Sequence, residues 1–167
     1  MRSGWSKSKE LPVFDPMCGS GTIAIEAAMM ATNRAPALNR KRWGFTKWAQ
    51  HDERLWQSIL SHADEQICEH DSPIVANDNQ SRLIAISKKN ADQAGVFKYI
   101  TFSQQDALKL KMDFSTPGFM VSNPPYGGRR SDIPSLVPFF NEWGGVLKQA
   151  FGDWNVSVLS SQLELLR

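Results

Sequence analysis

Short apolar runs and longer periodic stretches alternate along this chain. The run "LPVF" at 11–14 predicts a first strand, ended by Asp15-Pro16, with Pro12 tolerable only at its start. "TIAIEAAMMA", from Thr22 to Ala31, is Ala-rich and apolar on several faces, which predicts a buried helix. "PIVAN" at 73–77 reads as a second strand, and "QSRLIAISKKNADQAG" after it as a helix stopped by Gly95. "YITFSQQD" and "GFMVSN" supply two more strands. "SLVPFFNEWGGVLKQAF" is an imperfect helix carrying Pro138 and a glycine pair, and "NVSVLSS" is a fifth strand. Strands that alternate with helices imply a parallel sheet with right-handed crossovers. The expected fold class is therefore α/β, a doubly wound and mostly parallel sheet forming one domain over 1–167, for which the common strand order 3-2-1-4-5 is the expectation.

A segment inserted at 32–72 separates the first helix from the second strand. Its second half places Trp48, Leu55, Trp56, Ile59, Leu60, Ala63 and Ile67 at helical spacing, predicting an amphipathic helix. Its first half gathers Arg34, Arg40, Lys41 and Arg42 around Pro36 and Trp43. Two readings stay open. The segment is either a solvated connector with its tryptophans packed as core, or a surface for nucleic-acid phosphates with an aromatic ring nearby.

Composition changes this picture little. At 167 residues, 41% hydrophobic and 22% charged, the chain has the make-up of an ordinary globular protein. Its net charge of +2 permits a nucleic-acid partner without arguing for one. Cys18 and Cys68 form no metal-binding or disulfide framework, which suits a reducing cytoplasm. No apolar run approaches the ~18 residues of a membrane span, and no signal-peptide pattern opens the chain. The expectation is a soluble cytoplasmic domain without a metal and without a membrane partner.

Candidate chemistry begins at "FDPMCGSGT", where a strand ending in Asp15 meets a glycine-containing turn and then a helix. Glycines there let the backbone approach a ligand while helix N–H groups face it. Gly19, Gly21 and Ala24 also satisfy the loose G-x-G-x-x-G/A pattern, so a hydride-transfer enzyme is an alternative. Against it, the acidic residue expected ~20 positions later falls instead at Asp78, beyond the insertion. Asp78, at the end of the second strand, is placed to accept ribose hydroxyls or simply to cap the next helix. Asp106, after the third strand, is placed to accept an adenine amine or to cap a turn.

The tetrapeptide Asn123-Pro124-Pro125-Tyr126 ends the fourth strand. In this strand order the first and fourth strands are neighbours, and ligands bind between their carboxyl ends. An exocyclic amine on a nucleobase is a poor nucleophile, because its lone pair is delocalised into the ring. If the Asn123 side-chain oxygen and the Pro124 carbonyl accept its two N–H bonds, they aim the nitrogen at an electrophilic methyl and favour the developing positive charge. Pro125 fixes the backbone that aims that carbonyl, and Tyr126 offers a ring to stack on the base. Asn123, Pro124 and Tyr126 are thus the catalytic candidates, and Pro125, Tyr126 and Arg129 the substrate-binding ones.

"DPMCGSGT" at 15–22, Asp78, "QQDAL" at 104–108 and "NPPYG" at 123–127, in that order, resemble the S-adenosylmethionine-dependent amino-methyltransferases. With "APALNRKRWGFTKW" at 35–48, "LKQAF" and the final "SS", the chain resembles more narrowly the methyltransferase domain of bacterial large-subunit rRNA guanine-N2 methyltransferases. The similarity covers nearly the whole length. It implies that S-adenosylmethionine is the cofactor, with Asp15, Gly19, Ser20 and Gly21 on its methionine part, Asp78 on its ribose and Asp106 on its adenine. Asn123 lies between cofactor and base, and large-subunit rRNA is the implied partner. The Asn-Pro-Pro-Tyr motif does not by itself separate guanine from adenine, or RNA from DNA. Where the family usually continues "NPPYG" with Glu and Arg, Gly128 and Arg129 stand here, and Asn79 replaces a common apolar residue. The family also implies an RNA-binding module before the first strand and two strands after the fifth, so a fragment with an unpaired edge and poor substrate grip is expected. A non-catalytic nucleotide- or RNA-binding remnant is the remaining alternative.

Overall fold

The computed structural model of the chain describes residues 3–125 and 133–160. Five strands form one parallel sheet: β1 (Val13–Asp15), β2 (Ile74–Asn77), β3 (Thr101–Ser103), β4 (Phe119–Ser122) and β5 (Asn155–Val158). Their order is β3-β2-β1-β4-β5, the one expected for the sheet. Register is set at the centre, where Val13 stands opposite both Ile74 and Phe119.

The helices are α1 (Thr22–Ala31), α2 (Glu53–Glu65), α3 (Ser81–Ala94) and α4 (Ile133–Ala150). Side chains alternate across the sheet with the two-residue period of a strand. Val13, Ile74, Ala76, Phe119 and Val121 join the core with α1 and α3, whereas Phe14, Val75 and Met120 join Phe140, Trp143 and Phe151 on the α4 side. Buried on both faces, the central strands read as continuous apolar runs. Trp5, fully buried, anchors the lead-in to β1 by donating its indole N–H to Leu11 O at 2.9 Å.

Two close approaches require glycine. Gly21 caps α1 at φ 87°, and a Cβ there would lie 2.0 Å from Ser87 Oγ, so the start of α1 packs directly on α3. A Cβ on Gly118 would lie 2.3 Å from Pro12 O, where β4 enters beside β1. Helix α3 ends as expected at Gly95, in the left-handed conformation at φ 73°. Helix α4 continues through Pro138, which costs one helical hydrogen bond near its start.

The insertion departs from the sequence expectation. Helix α2 starts at Glu53, capped by Asp52, whose Oδ1 accepts the Leu55 N–H at 3.0 Å; Trp48 and Ile67 fall outside it. A 3-10 turn at Gly44–Lys47 precedes it. No residue of α2 is buried, because its apolar stripe faces a small aromatic cluster and solvent, not the main core. Among the described residues, no helix is long and apolar enough to cross a membrane, and no group of side chains could hold a metal ion.

Candidate active site

A crevice of about 270 Å³ opens at the carboxyl ends of the strands, where the order reverses between β1 and β4. That is the place ligands occupy in open α/β sheets. Its size is near the lower end for small-molecule sites, so it suits a nucleoside-sized group and not a nucleic-acid strand. Each wall comes from the segment that leaves one strand. Pro16 and Met17 follow β1, Asp78 follows β2, Asp106 and Ala107 follow β3, and Asn123 and Pro125 follow β4.

Of the residues singled out from the sequence, Asp78, Asp106, Asn123 and Pro125 share this crevice. Asp78 is buried, and each of its carboxylate oxygens accepts one backbone N–H at 3.0 Å, from Gly19 and from Gln80. It therefore both starts the turn into α3 and ties the glycine loop to the end of β2. A carboxylate has about four lone-pair sites, so both oxygens keep acceptor capacity toward the crevice. Asp106 likewise closes a local turn, taking the Leu108 N–H at 3.0 Å, while it lines the crevice.

The remaining candidates that the structure describes lie around the crevice and not on its wall. Asp15 is 2% exposed beneath the loop and accepts the Met17 N–H at 3.2 Å. Burial pushes its carboxyl up to about 7; the Met17 bond opposes this and the nearby charge of Asp78 adds to it. Gly19 has φ 56° and open space where a Cβ would be, which leaves its backbone approachable. Ser20 pairs with Thr22 through their hydroxyls, and its carbonyl accepts the Asn90 side chain at 3.0 Å. Gly21 supplies no side-chain cap to α1. Pro124 is buried behind Asn123. Tyr126 and Arg129 lie outside the described residues.

Cys18, next to the loop glycines, is buried. Burial, followed by the charges of Asp15 and Asp78, pushes its thiol up to about 12.

Two features escaped sequence reasoning. Leu83, Ala107 and Phe139 give the crevice an apolar side that Asn79 does not supply. Leu83 lies one turn beyond Asn79, a spacing that helical periodicity makes visible once α3 is placed. Phe139 comes from α4, on the far side of the sheet in sequence, and nothing local signals it. The second feature is Asn77, fully buried. Its Nδ2 donates to Pro16 O and to Gln105 O, both at 2.9 Å, and its Oδ1 accepts Gln105 N–H at 2.9 Å. One side chain thus holds together the exits of β1, β2 and β3.

Comparison with known proteins gives a consistent picture. The model of the UPF0020 family, described as RMKL-like methyltransferase domain, matches residues 1–167. The ribosomal RNA large subunit methyltransferase K/L of Pseudoalteromonas atlantica strain T6c is 52% identical over the whole chain, which corresponds to 24% of that relative. The chain thus spans about a quarter of the length of the curated relatives it matches. Among solved structures, SMU.472, assigned as a methyltransferase and complexed with SAH, superposes at TM-score 0.80 with 32% identity over 93% of this chain and 41% of its own. A Listeria monocytogenes protein named as an N6-adenine-specific DNA methylase superposes at TM-score 0.81 with 31% identity over 99% of this chain and 45% of its own.

Proposed function

Because the chain belongs to the UPF0020 family of RMKL-like methyltransferase domains, we propose that it transfers a methyl group from S-adenosylmethionine to the exocyclic amine of a nucleobase, with guanine N2 of large-subunit rRNA as the acceptor. The observation that carries this reading is the convergence of Asp78, Asp106 and Asn123 on one crevice at the switch point of the sheet. The crevice fits the cofactor chemically: carboxylates that accept hydroxyl and amine protons stand beside an apolar side made by Leu83, Ala107 and Phe139. The complex of SMU.472 with SAH, on the same fold, supports the same cofactor.

When bound, S-adenosylmethionine supplies the methyl group, its C–S bond breaking as the new N–C bond forms. Asp78 takes the ribose hydroxyls, Asp106 takes the adenine amine, and Gly19, Ser20 and Gly21, with Asp15 beneath them, take the methionine part. The Asn123 side-chain oxygen and the Pro124 carbonyl accept the two N–H bonds of the target amine and orient its nitrogen. Pro125 holds that carbonyl in place. The amine becomes acidic as the methyl arrives, so its proton passes to water without a strong general base. Tyr126 and Arg129 are the further candidates for contact with the base. A base stacked in a duplex hides its amine, so the acceptor must be unpaired or flipped out.

The test is calorimetric titration with S-adenosylmethionine, followed by transfer of labelled methyl to large-subunit rRNA. Asn123→Ala should abolish transfer and leave cofactor binding largely intact, since the role proposed for its side-chain oxygen is toward the reacting amine. Absence of cofactor binding overturns the proposal. Cofactor binding without transfer to any nucleic acid favours the non-catalytic remnant. Nucleoside analysis of the product decides the base, and the name of the Listeria relative makes N6-methyladenine the competing result.

A further inference from the structure

The insertion between α1 and β2 carries a surface that the crevice chemistry does not use. Trp43, Phe45 and Trp56 form a local aromatic core: Trp56 meets Trp43 edge-on at 5.2 Å and Phe45 at 4.9 Å. This cluster braces the 3-10 turn against α2 and so holds its neighbours in place. Trp48, directly after that turn, is nevertheless 69% exposed, and Leu55 and Ile59 of α2 are 59% and 49% exposed beside it. Together they border a groove of about 250 Å³.

The segment that leads into this groove carries charge of one sign, while Asp52 lines the groove itself. From Arg34 to His51 there are five Lys or Arg residues and no carboxylate. Arg40, Lys41, Arg42 and Lys47 are all exposed. Arg40 is positioned, its guanidinium 5.3 Å from the Trp43 ring and its Nε donating to Arg42 O at 2.7 Å. Among the described residues no ion pair engages Lys41, Arg42 or Lys47. The adjacent acids are occupied: Asp52 caps α2, and Glu53 bonds His51 and Gln57. Exposed cations around an exposed indole are the elements of a single-strand binding surface, in which phosphates meet the charges and a base stacks on the ring.

We propose that the segment from Arg40 to Trp48 is a second RNA contact, in which Lys41, Arg42 and Lys47 take phosphates and Trp48 stacks on an unpaired base. Asn39, directly before the segment, donates to Gln93 O near the end of α3, whereas the crevice is lined by Gln80 and Leu83 at the start of that helix. RNA that reaches both sites is held several nucleotides away from the base being modified. The proposal rests on RNA being the methyl acceptor, but its readout is binding, so the two fail separately.

The experiment measures binding of a fluorescein-labelled, unstructured single-stranded RNA to the whole chain across a salt series. It compares wild type, Trp48→Ala and the double variant Lys41→Glu with Arg42→Glu, each also titrated with S-adenosylmethionine. Trp48→Ala should weaken RNA binding roughly tenfold, as loss of a stacking platform does, with the salt dependence unchanged. The charge variant should weaken it and flatten the slope of log affinity against log salt by about 1.4 for two lost phosphate contacts. Titration with the cofactor should be the same for all three proteins. Unchanged RNA affinity in both variants overturns the proposal. So does unchanged affinity and salt dependence in the charge variant alone, because the proposal places phosphates on Lys41 and Arg42. Retained RNA binding by a wild type that binds no cofactor would leave this inference standing and sink the proposed function instead.

Discussion

Removal of the Asn77 side chain should loosen the crevice from beneath. Asn77→Ala deletes three hydrogen bonds of 2.9 Å, to Pro16 O, to Gln105 O and from Gln105 N. Each contributes ~1 kcal/mol net, and leaving the buried partners unpaired adds to the cost, so about 3–4 kcal/mol is expected. That is a large part of the ~5–15 kcal/mol that holds a domain folded. For a domain of this size it corresponds to a fall in Tm of roughly 10 °C, read by far-UV circular dichroism. Cofactor affinity should drop as well, because Pro16 and Asp106, on opposite walls, lose the tie between the segments that carry them. Asn77→Asp separates this account from simple volume loss. Its shape is nearly that of Asn, and one oxygen can still accept Gln105 N–H, but the other would face the carbonyl oxygens of Pro16 and Gln105. It would also add a charge next to buried Asp78 and near Asp15. The aspartate should therefore be no better than the alanine. An aspartate variant within ~1 kcal/mol of wild type, measured by urea unfolding, would refute the reasoning.

Three further outcomes can be checked. Gly21→Ala should cost at least ~2 kcal/mol, since the new Cβ would meet Ser87 Oγ at 2.0 Å in a backbone conformation at φ 87° that side chains disfavour; the double variant with Ser87→Gly should recover part of this in a thermal melt. Asp15 sets a pH dependence: unfolded, it loses its proton near 3.8, and folded only near 7, so the native state binds more protons between those values. Its contribution to stability falls as pH rises through that window and is fully unfavourable above it, by an amount on the order of 4 kcal/mol. Asp15→Asn should flatten this slope when urea unfolding is compared at acid and alkaline pH. Asp52→Ala should lower the helicity of α2 and cost ~1 kcal/mol through loss of the bond to Leu55 N–H, seen as faster hydrogen exchange confined to that helix.

Much of the scaffold was legible because it follows from local periodicity. Apolar runs bounded by glycine, proline and aspartate gave the five strands, and their alternation with helices gave a parallel sheet; the switch point beside Asn123 then required the strand order as well. Asp78 and Asp106 could be placed at strand ends in the same way. What could not be read was the partner of each polar group. The sequence around Asp78 allows a helix cap or a ligand contact, and only the fold shows that its two oxygens hold the glycine loop and the start of α3 together.

By itself, then, the sequence determined the layers and which segments leave the strand ends, because these depend on repeats a few residues long, whereas the pairing of β1 with β4 is a long-range fact. Tertiary structure alone decided the rest. It placed Asn77 as the clamp on three loops, brought Phe139 from α4 to the crevice, and buried Asp15 below the wall. It also separated the tryptophans of the insertion, Trp43 and Trp56 into a local core and Trp48 into solvent. Periodicity put Trp48 and Trp56 on one helical stripe, but the Asp52 cap starts the helix after Trp48. Burial and hydrogen bonding depend on what lies across space, and residues tens of positions apart in the chain settle it.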